Sequence, residues 1–203
     1  MSAVSMIAAA LAAVLIGSVS GARALSGLFS VGDIRGVGSG NAGASNAWRA
    51  GGPGYGLAVL AFDILKGAVA VGLAAAIAPL MPWPAVCAGL AVVGHVWPVW
   101  HGFRGGKGLA TSAGVLIFLA PLTLVAATGV YALVLAWRRI ASLAGLAAVG
   151  TAWLGALFVP AMPASVRVLI GLLGVLLVIT HRENIVRLRF GEEPRVDNET
   201  HHG

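Results

Sequence analysis

Apolar residues gather in seven blocks along the chain, at positions 3–21, 53–78, 83–99, 109–119, 122–137, 140–159 and 164–179, with short polar or glycine-rich segments between them. A helix needs about 20 apolar residues to cross a bilayer core without tilting, so each block predicts a spanning helix, and two are short for the task. The pattern predicts an all-α, polytopic integral membrane protein with seven transmembrane helices, six being the alternative count.

Charge separates the two counts. If seven spans alternate, one face collects Arg23, Arg35 and Arg49, then Arg104 and Lys107, then Arg138 and Arg139, then Arg182, Arg187, Arg189 and Arg195. The connecting turns on the other face carry no positive charge, so the positive-inside rule sets the N-terminus outside and the C-terminus in the cytoplasm. Merging the fourth and fifth blocks would move Arg138 and Arg139 outside, which predicts a break at Ala120-Pro121. Only Lys66 and Arg167 fall within spans.

Composition agrees with a membrane setting: 59% of the 203 residues are hydrophobic, 10% are charged, and mean hydropathy is +0.93. That leaves too little polar surface for a soluble globule. Trp83, Trp97, Trp100 and Trp137 fall at predicted span ends, as interfacial rings do. The 29 glycines permit close helix approach where apolar burial cannot drive association. Ala22-Arg23-Ala24 gives the first block the look of a cleaved signal peptide, but no basic segment precedes it, so it is read as a retained span. The single Cys87 excludes an intramolecular disulfide and reads as a packing residue. The organisation expected is one domain over 1–203 with a polar tail from about 187, whose His201 and His202 lie too near the end to be credited as ligands.

Candidate chemistry collects in two loops. The first, from about 23 to 52, holds Asp33, Arg35, the run Gly38-Ser39-Gly40-Asn41-Ala42-Gly43-Ala44-Ser45-Asn46, and Arg49. Its Gly38-x-Gly40-x-x-Gly43 spacing matches a dinucleotide fingerprint, with Asp63 at the distance of a ribose-binding acid, yet that motif needs a preceding strand and a parallel sheet. The second loop, Phe103-Arg104-Gly105-Gly106-Lys107-Gly108, fails as a nucleotide-triphosphate loop because His101 stands at the required earlier glycine and Gly108 follows the lysine. What survives is a pair of small-residue loops whose backbone amides and cations could hold phosphate, against the plainer reading of positive-inside anchors. Two smaller polar clusters share the same face, Arg138-Arg139-x-x-Ser142 and His181-Arg182-Glu183-Asn184. Asp63 and Lys66 are close enough to pair inside the second span, and their role is left open between packing and function.

In order and spacing, Asp33-Ile34-Arg35-x-x-Gly38-Ser39-Gly40-Asn41-x-Gly43-Ala44-Ser45-Asn46-x-x-Arg49, Gly94-His95-x-x-Pro98, Phe103-Arg104-Gly105-Gly106-Lys107-Gly108-x-Ala110-Thr111, Ser142-Leu143 and His181-Arg182-x-Asn184-Ile185-x-Arg187-Leu188 resemble the PlsY family of bacterial acyl-phosphate:glycerol-3-phosphate acyltransferases. Ser45 stands where the family usually has Thr, and Val19-Ser20-Gly21 departs from its usual sequence after Gly17-Ser18. The resemblance implies a multi-pass enzyme of the bacterial cytoplasmic (inner) membrane, its active site facing the cytoplasm. It would move a fatty acyl group from acyl phosphate to the 1-hydroxyl of glycerol 3-phosphate, giving lysophosphatidic acid and phosphate, the first acylation of phospholipid synthesis.

By that resemblance Ser39, Arg49, Lys107 and His181 are the expected catalytic residues. Gly38, Gly40, Asn41, Gly43, Ser45, Asn46, Arg104, Gly105, Gly106, Ser142 and Asn184 are the expected substrate-binding residues. No metal and no cofactor is expected, because a mixed anhydride is already activated and needs alignment and charge stabilisation. The partners expected are acyl phosphate, glycerol 3-phosphate and the bilayer, with no nucleic acid, and the chain is expected to be a monomer. No His-x-x-x-x-Asp dyad of acyl-CoA enzymes is present: five residues on from His95, His101 and His181 stand Trp100, Gly106 and Val186. The proton is expected to leave with the donor's phosphate, His181 being the rival acceptor. A transporter for an organic phosphate is the alternative function, although its site would lie near the bilayer midplane and not at one face.

Overall fold

The computed structural model describes residues 2–196, so His201 and His202 lie outside the described residues. Every regular element among them is helical, and helices fall on all seven apolar blocks. The chain divides into two compact units, residues 1–119 and 120–203.

Unit 1 contains α1 (Ala3–Ser18), α2 (Gly21–Ser26), α3 (Ala44–Ile77), α4 (Trp83–Val96) and α5 (Leu109–Leu119), with 3-10 turns at Ile34–Gly36 and Val99–His101. Two helix pairs pack through reciprocal glycines. A Cβ on Gly17 of α1 would strike the Ala91 carbonyl of α4, and one on Gly94 of α4 would strike the Val14 carbonyl of α1. In the same way Gly67 of α3 meets Thr111 of α5, and Gly114 of α5 meets Ile64 of α3. Close backbone approach replaces the hydrophobic driving force that lipid cannot supply.

The polar segment 23–52 is less loop-like than its composition predicts. It contains α2, a 3-10 turn and the first two turns of α3. Helix α3 is interrupted at Gly51 and Gly52, the latter at φ 80°, immediately before Pro53. Proline cannot continue the i to i−4 ladder, so the break separates residues 44–50, which carry Arg49, from the apolar helix beyond.

Unit 2 contains α6 (Pro121–Arg138), α7 (Ala141–Phe158), α8 (Ala164–Thr180) and α9 (Arg182–Phe190). Helix α5 stops at Leu119 and α6 starts at Pro121, the break expected there. Arg167, the in-span arginine of α8, donates to carbonyls around the C-terminal end of α7: Ala156, Leu157, Val159 (2.6 Å), Pro160 and Met162 (3.1 Å). Those carbonyls lack helical partners, so the guanidinium is held as a helix cap and carries no functional implication.

Among the described residues four helices are long and apolar enough to cross a membrane, at 44–77, 83–101, 121–138 and 141–158, and α8 with α9 makes a fifth if that pair, bent by 58°, counts as one span. The shorter apolar helices are α1 and α5.

Candidate active site

In unit 1 both cation-bearing loops lie at one end of the helices and are tied together. The Ala42 amide donates to the Gly105 carbonyl at 3.3 Å, and Arg35 Nη1 donates to the His101 carbonyl at 3.1 Å. Arg35 also clasps Asp33, with Nη2 2.6 Å from Oδ2, and Arg23 approaches the same carboxylate at 3.7 Å. The Arg35 hydrogen bonds hold the Asp33 carboxyl well below its usual range, at about 2. Arg23 and Arg35 thus serve the loop's own structure.

Asn46 organises the first loop. It is buried, its Nδ2 donates to the carbonyls of Ile34 (2.8 Å) and Val37 (3.0 Å), and its Oδ1 accepts from the Ser39 amide (3.1 Å). The carboxamide expected to bind substrate is therefore engaged in shaping the loop. Gly38 has φ +56° and its missing Cβ would overlap Asn46 Oδ1, which is why no larger residue fits there. The Arg49 side chain runs past the same glycine, with Cδ 3.5 Å from where that Cβ would be.

The glycine amides are expected to face phosphate, and several do not. Ser39, Gly40 and Ala42 spend their N–H groups on Asn46 Oδ1, Val37 O and Gly105 O, while Gly105 and Gly106 donate to Val96 O and His95 O. Gly40, Gly105 and Gly106 accordingly shape turns, and the first turns of α3, capped by Gly43, and of α5, just after Lys107, offer amides to an anion. Asn41 lies against Gly43 at the first of these ends. Ser39, Arg49 and Lys107 are half-buried, and Ser45 and Arg104 are exposed.

In unit 2 Ser142, His181 and Asn184 are all buried, and Ser142 and Asn184 both lie beside Glu193. His181 sits at the break between α8 and α9, and its Nδ1 lies 2.7 Å from the Leu177 carbonyl. A carbonyl only accepts, so Nδ1 carries a proton, and in the neutral form of the ring the lone pair is on Nε2. Glu193 is the residue that sequence reasoning missed. Its Oε1 accepts from Asn184 Nδ2 at 2.5 Å and its Oε2 from Arg187 Nε at 2.7 Å, although the segment beyond Arg187 reads as a plain polar tail. Burial pushes the Glu193 carboxyl up, but hydrogen bonds from Asn184 and Arg187 and the nearby Ser142 hydroxyl outweigh it and hold the group below its usual range. Ser142 Oγ itself makes no well-angled hydrogen bond. The Val196 amide, bonded to Arg139 O at 2.8 Å, completes the return of the tail. A signal was available: two of only seven acidic residues stand together at 192–193, directly after a basic helix.

Among the described residues no group of His, Cys, Asp and Glu side chains could hold a metal ion. A helical membrane protein whose cations and helix-end amides collect at the polar ends of its spans is the class these features define. The chain belongs to the glycerol-3-phosphate acyltransferase family, whose model matches residues 7–191. The glycerol-3-phosphate acyltransferase of Rhodospirillum rubrum is 45% identical over 194 residues, covering 92% of this chain and 89% of that protein. The one from Aquifex aeolicus is 40% identical over 184 residues, covering 90% and 95%. Crystal structures of PlsY, an integral membrane glycerol 3-phosphate acyltransferase, are similar in its glycerol 3-phosphate form, with a TM-score of 0.87, 36% identity and coverage of 94% and 95%. The lysophosphatidic acid form gives a TM-score of 0.85 at 35% identity, with the same coverage.

Proposed function

We propose that this glycerol-3-phosphate acyltransferase uses acyl phosphate as donor and works at the cytoplasmic surface of the bacterial inner membrane, as a monomer and a single catalytic domain crossing the bilayer seven times from an external N-terminus. The observation that supports the reading is the joining of the segments that carry Arg49 and Lys107, through Ala42–Gly105 and Arg35–His101. Their shared sign fits two phosphorylated substrates, and their position at a span end lets the acyl chain stay among the helices while its phosphate meets water.

In this reading Arg49, Lys107 and the first-turn amides of α5 hold the donor phosphate and the oxyanion that develops on the acyl carbonyl. Ser39 lies beside them, on the loop that Asn46 pins. Ser142, His181 and Asn184 hold glycerol 3-phosphate, and His181 Nε2 accepts a hydrogen bond from its 1-hydroxyl. That hydroxyl oxygen attacks the carbonyl carbon, the carbon–oxygen bond to phosphate breaks, and the hydroxyl proton leaves with inorganic phosphate. The ester formed is lysophosphatidic acid. Since the leaving phosphate takes the proton, His181→Gln should weaken glycerol 3-phosphate binding while preserving the shape of the pH–rate profile; loss of the basic limb would make His181 the base.

Purified protein supplied with glycerol 3-phosphate and either palmitoyl phosphate or palmitoyl-CoA tests the donor. Lysophosphatidic acid from palmitoyl phosphate alone is the outcome expected, and product from palmitoyl-CoA alone would overturn it.

A further inference from the structure

Three buried polar side chains of unit 1 have no part in the chemistry above: Asp63 and Lys66 on α3, and His95 on α4, exposed by 1%, 6% and 5%. Lys66 Nζ lies 2.9 Å from Asp63 Oδ1, an ion pair whose angle is poor for a hydrogen bond. The same ammonium donates to the Val19 carbonyl at 2.7 Å and stands 2.8 Å from His95 Nδ1. An ammonium has no lone pair, so Nδ1 must accept from it, and the proton of the neutral imidazole is left on Nε2.

That nitrogen faces the loop that carries Lys107. A Cβ on Gly106 would collide with His95 Nε2, and one on Gly105 would collide with the His95 carbonyl. The Gly106 amide donates to that carbonyl at 3.2 Å, and the Gly105 amide to Val96 O at 3.1 Å. The turn before Lys107 is thus laid directly on the ring and backbone of His95. The opposite tautomer would set a ring proton against the ammonium and turn a lone pair toward Gly106.

We propose that Asp63, Lys66 and His95 form a buried positioning relay: the ion pair fixes the tautomer of His95, and His95 seats the Gly105-Gly106 turn and with it Lys107. The proposal rests on the reading of Lys107 as a phosphate contact. It also explains why a membrane helix retains an ion pair at this depth. Such a pair is costly to desolvate, and apolar replacements often match or exceed its stability, so its use lies in the one arrangement it specifies. Lys66 reaches the α1–α2 connection through Val19, its own helix through Asp63, and α4 through His95, so one ammonium joins three segments beneath the turn.

The test pairs a spectroscopic readout with a kinetic one. Asp63→Asn/Lys66→Met removes both charges together and leaves neither buried alone. Nitrogen-15 NMR of histidine-labelled protein, with the His95 signals assigned by their loss in His95→Gln, should show the Nε2-protonated tautomer in the unsubstituted protein and a mixture in the double variant. Formation of lysophosphatidic acid should fall by about tenfold or more in kcat/KM. In a Lys107→Arg background the double substitution should add much less than that factor, because the relay acts through Lys107. An Nδ1-protonated ring in the unsubstituted protein, unchanged kcat/KM in the double variant, or losses that multiply would each overturn the relay. If the double variant does not fold, His95→Gln, which keeps the ion pair, is carried through the same cycle. Full activity of Lys107→Ala would instead overturn the Lys107 reading, and the tautomer result stands apart from it.

Discussion

The two units hold their polar residues by different means. In unit 1 the loops are fastened largely by neutral groups: Asn46 binds three backbone atoms, and Ala42, Gly105 and Gly106 bind others. In unit 2 a single carboxylate, Glu193, holds both Asn184 and Arg187. Amide-to-backbone fastening does not titrate, whereas a carboxylate clamp does, so the Asn46 fastening of unit 1 is indifferent to acid and the Glu193 clamp of unit 2 is open to it. The histidines repeat the contrast. His95 has its Nδ1 against a lysine and turns an N–H toward the loop, while His181 has its Nδ1 against a carbonyl and keeps a lone pair on Nε2. In the neutral ring the proton sits on opposite nitrogens in the two units, because of what faces Nδ1.

The strongest way to break this contrast lies in unit 1. Arg49→Ala and Lys107→Ala should each lower kcat/KM by about 10³-fold in a lysophosphatidic acid assay, as expected when a charge-stabilising donor is lost. Near-normal rates would remove unit 1 from the chemistry. Asn46→Ala, which removes bonds to the loop backbone and leaves both cations in place, should still lower turnover by about 10²-fold, because misplacing a loop by about an ångström is costly. The Ser39 amide, left without its acceptor, should also show as a stability loss of about 2 kcal/mol in denaturation of the purified protein.

Glu193→Gln sharpens the unit 2 side of the comparison. It should raise KM for glycerol 3-phosphate by about tenfold, the worth of one hydrogen bond to a charged group. The carboxyl is held below its usual range in the folded protein, so its stabilising contribution is complete above the unfolded value and is lost as pH falls through the folded one. Binding measured below the ordinary carboxylate range should therefore weaken in the unsubstituted protein and change less in Glu193→Gln. Equal acid sensitivity in both would mean that Glu193 is not the clamp. The smallest effect belongs to Cys87→Ala, in a fully buried position among alanines of α1, α3 and α4, which should leave turnover largely intact.

Much of the helical layout was legible because lipid permits little else: with no water for the backbone to bond, apolar blocks become helices, and Ala120-Pro121 becomes a break. The joining of the two cationic loops follows from chain alternation and was legible too. Where the glycine amides point was not. Glycine at 38 or 105 signals only that a side chain would not fit, and what occupies that space, Asn46 or the His95 carbonyl, is a fact of packing. Residues 44–50 were hidden as a helix because their composition resembles that of a phosphate loop. Glu193 was hidden because the tail's polarity reads the same whether it is solvated or folded back. The Asp63–Lys66 pairing could be read from its spacing, but His95, 29 residues beyond Lys66, could join it only through the packing of α3 on α4.

Sidedness tests the proposed function most directly, because that proposal requires the functional groups of both units to open on the cytoplasm. In a Cys87→Ala background, cysteines replacing the exposed Ser45 of unit 1 and Glu183 of unit 2 can be challenged with a membrane-impermeant thiol reagent in oriented vesicles. Both should react in inside-out vesicles and neither in right-side-out ones. Reaction of the two from opposite sides would contradict the account.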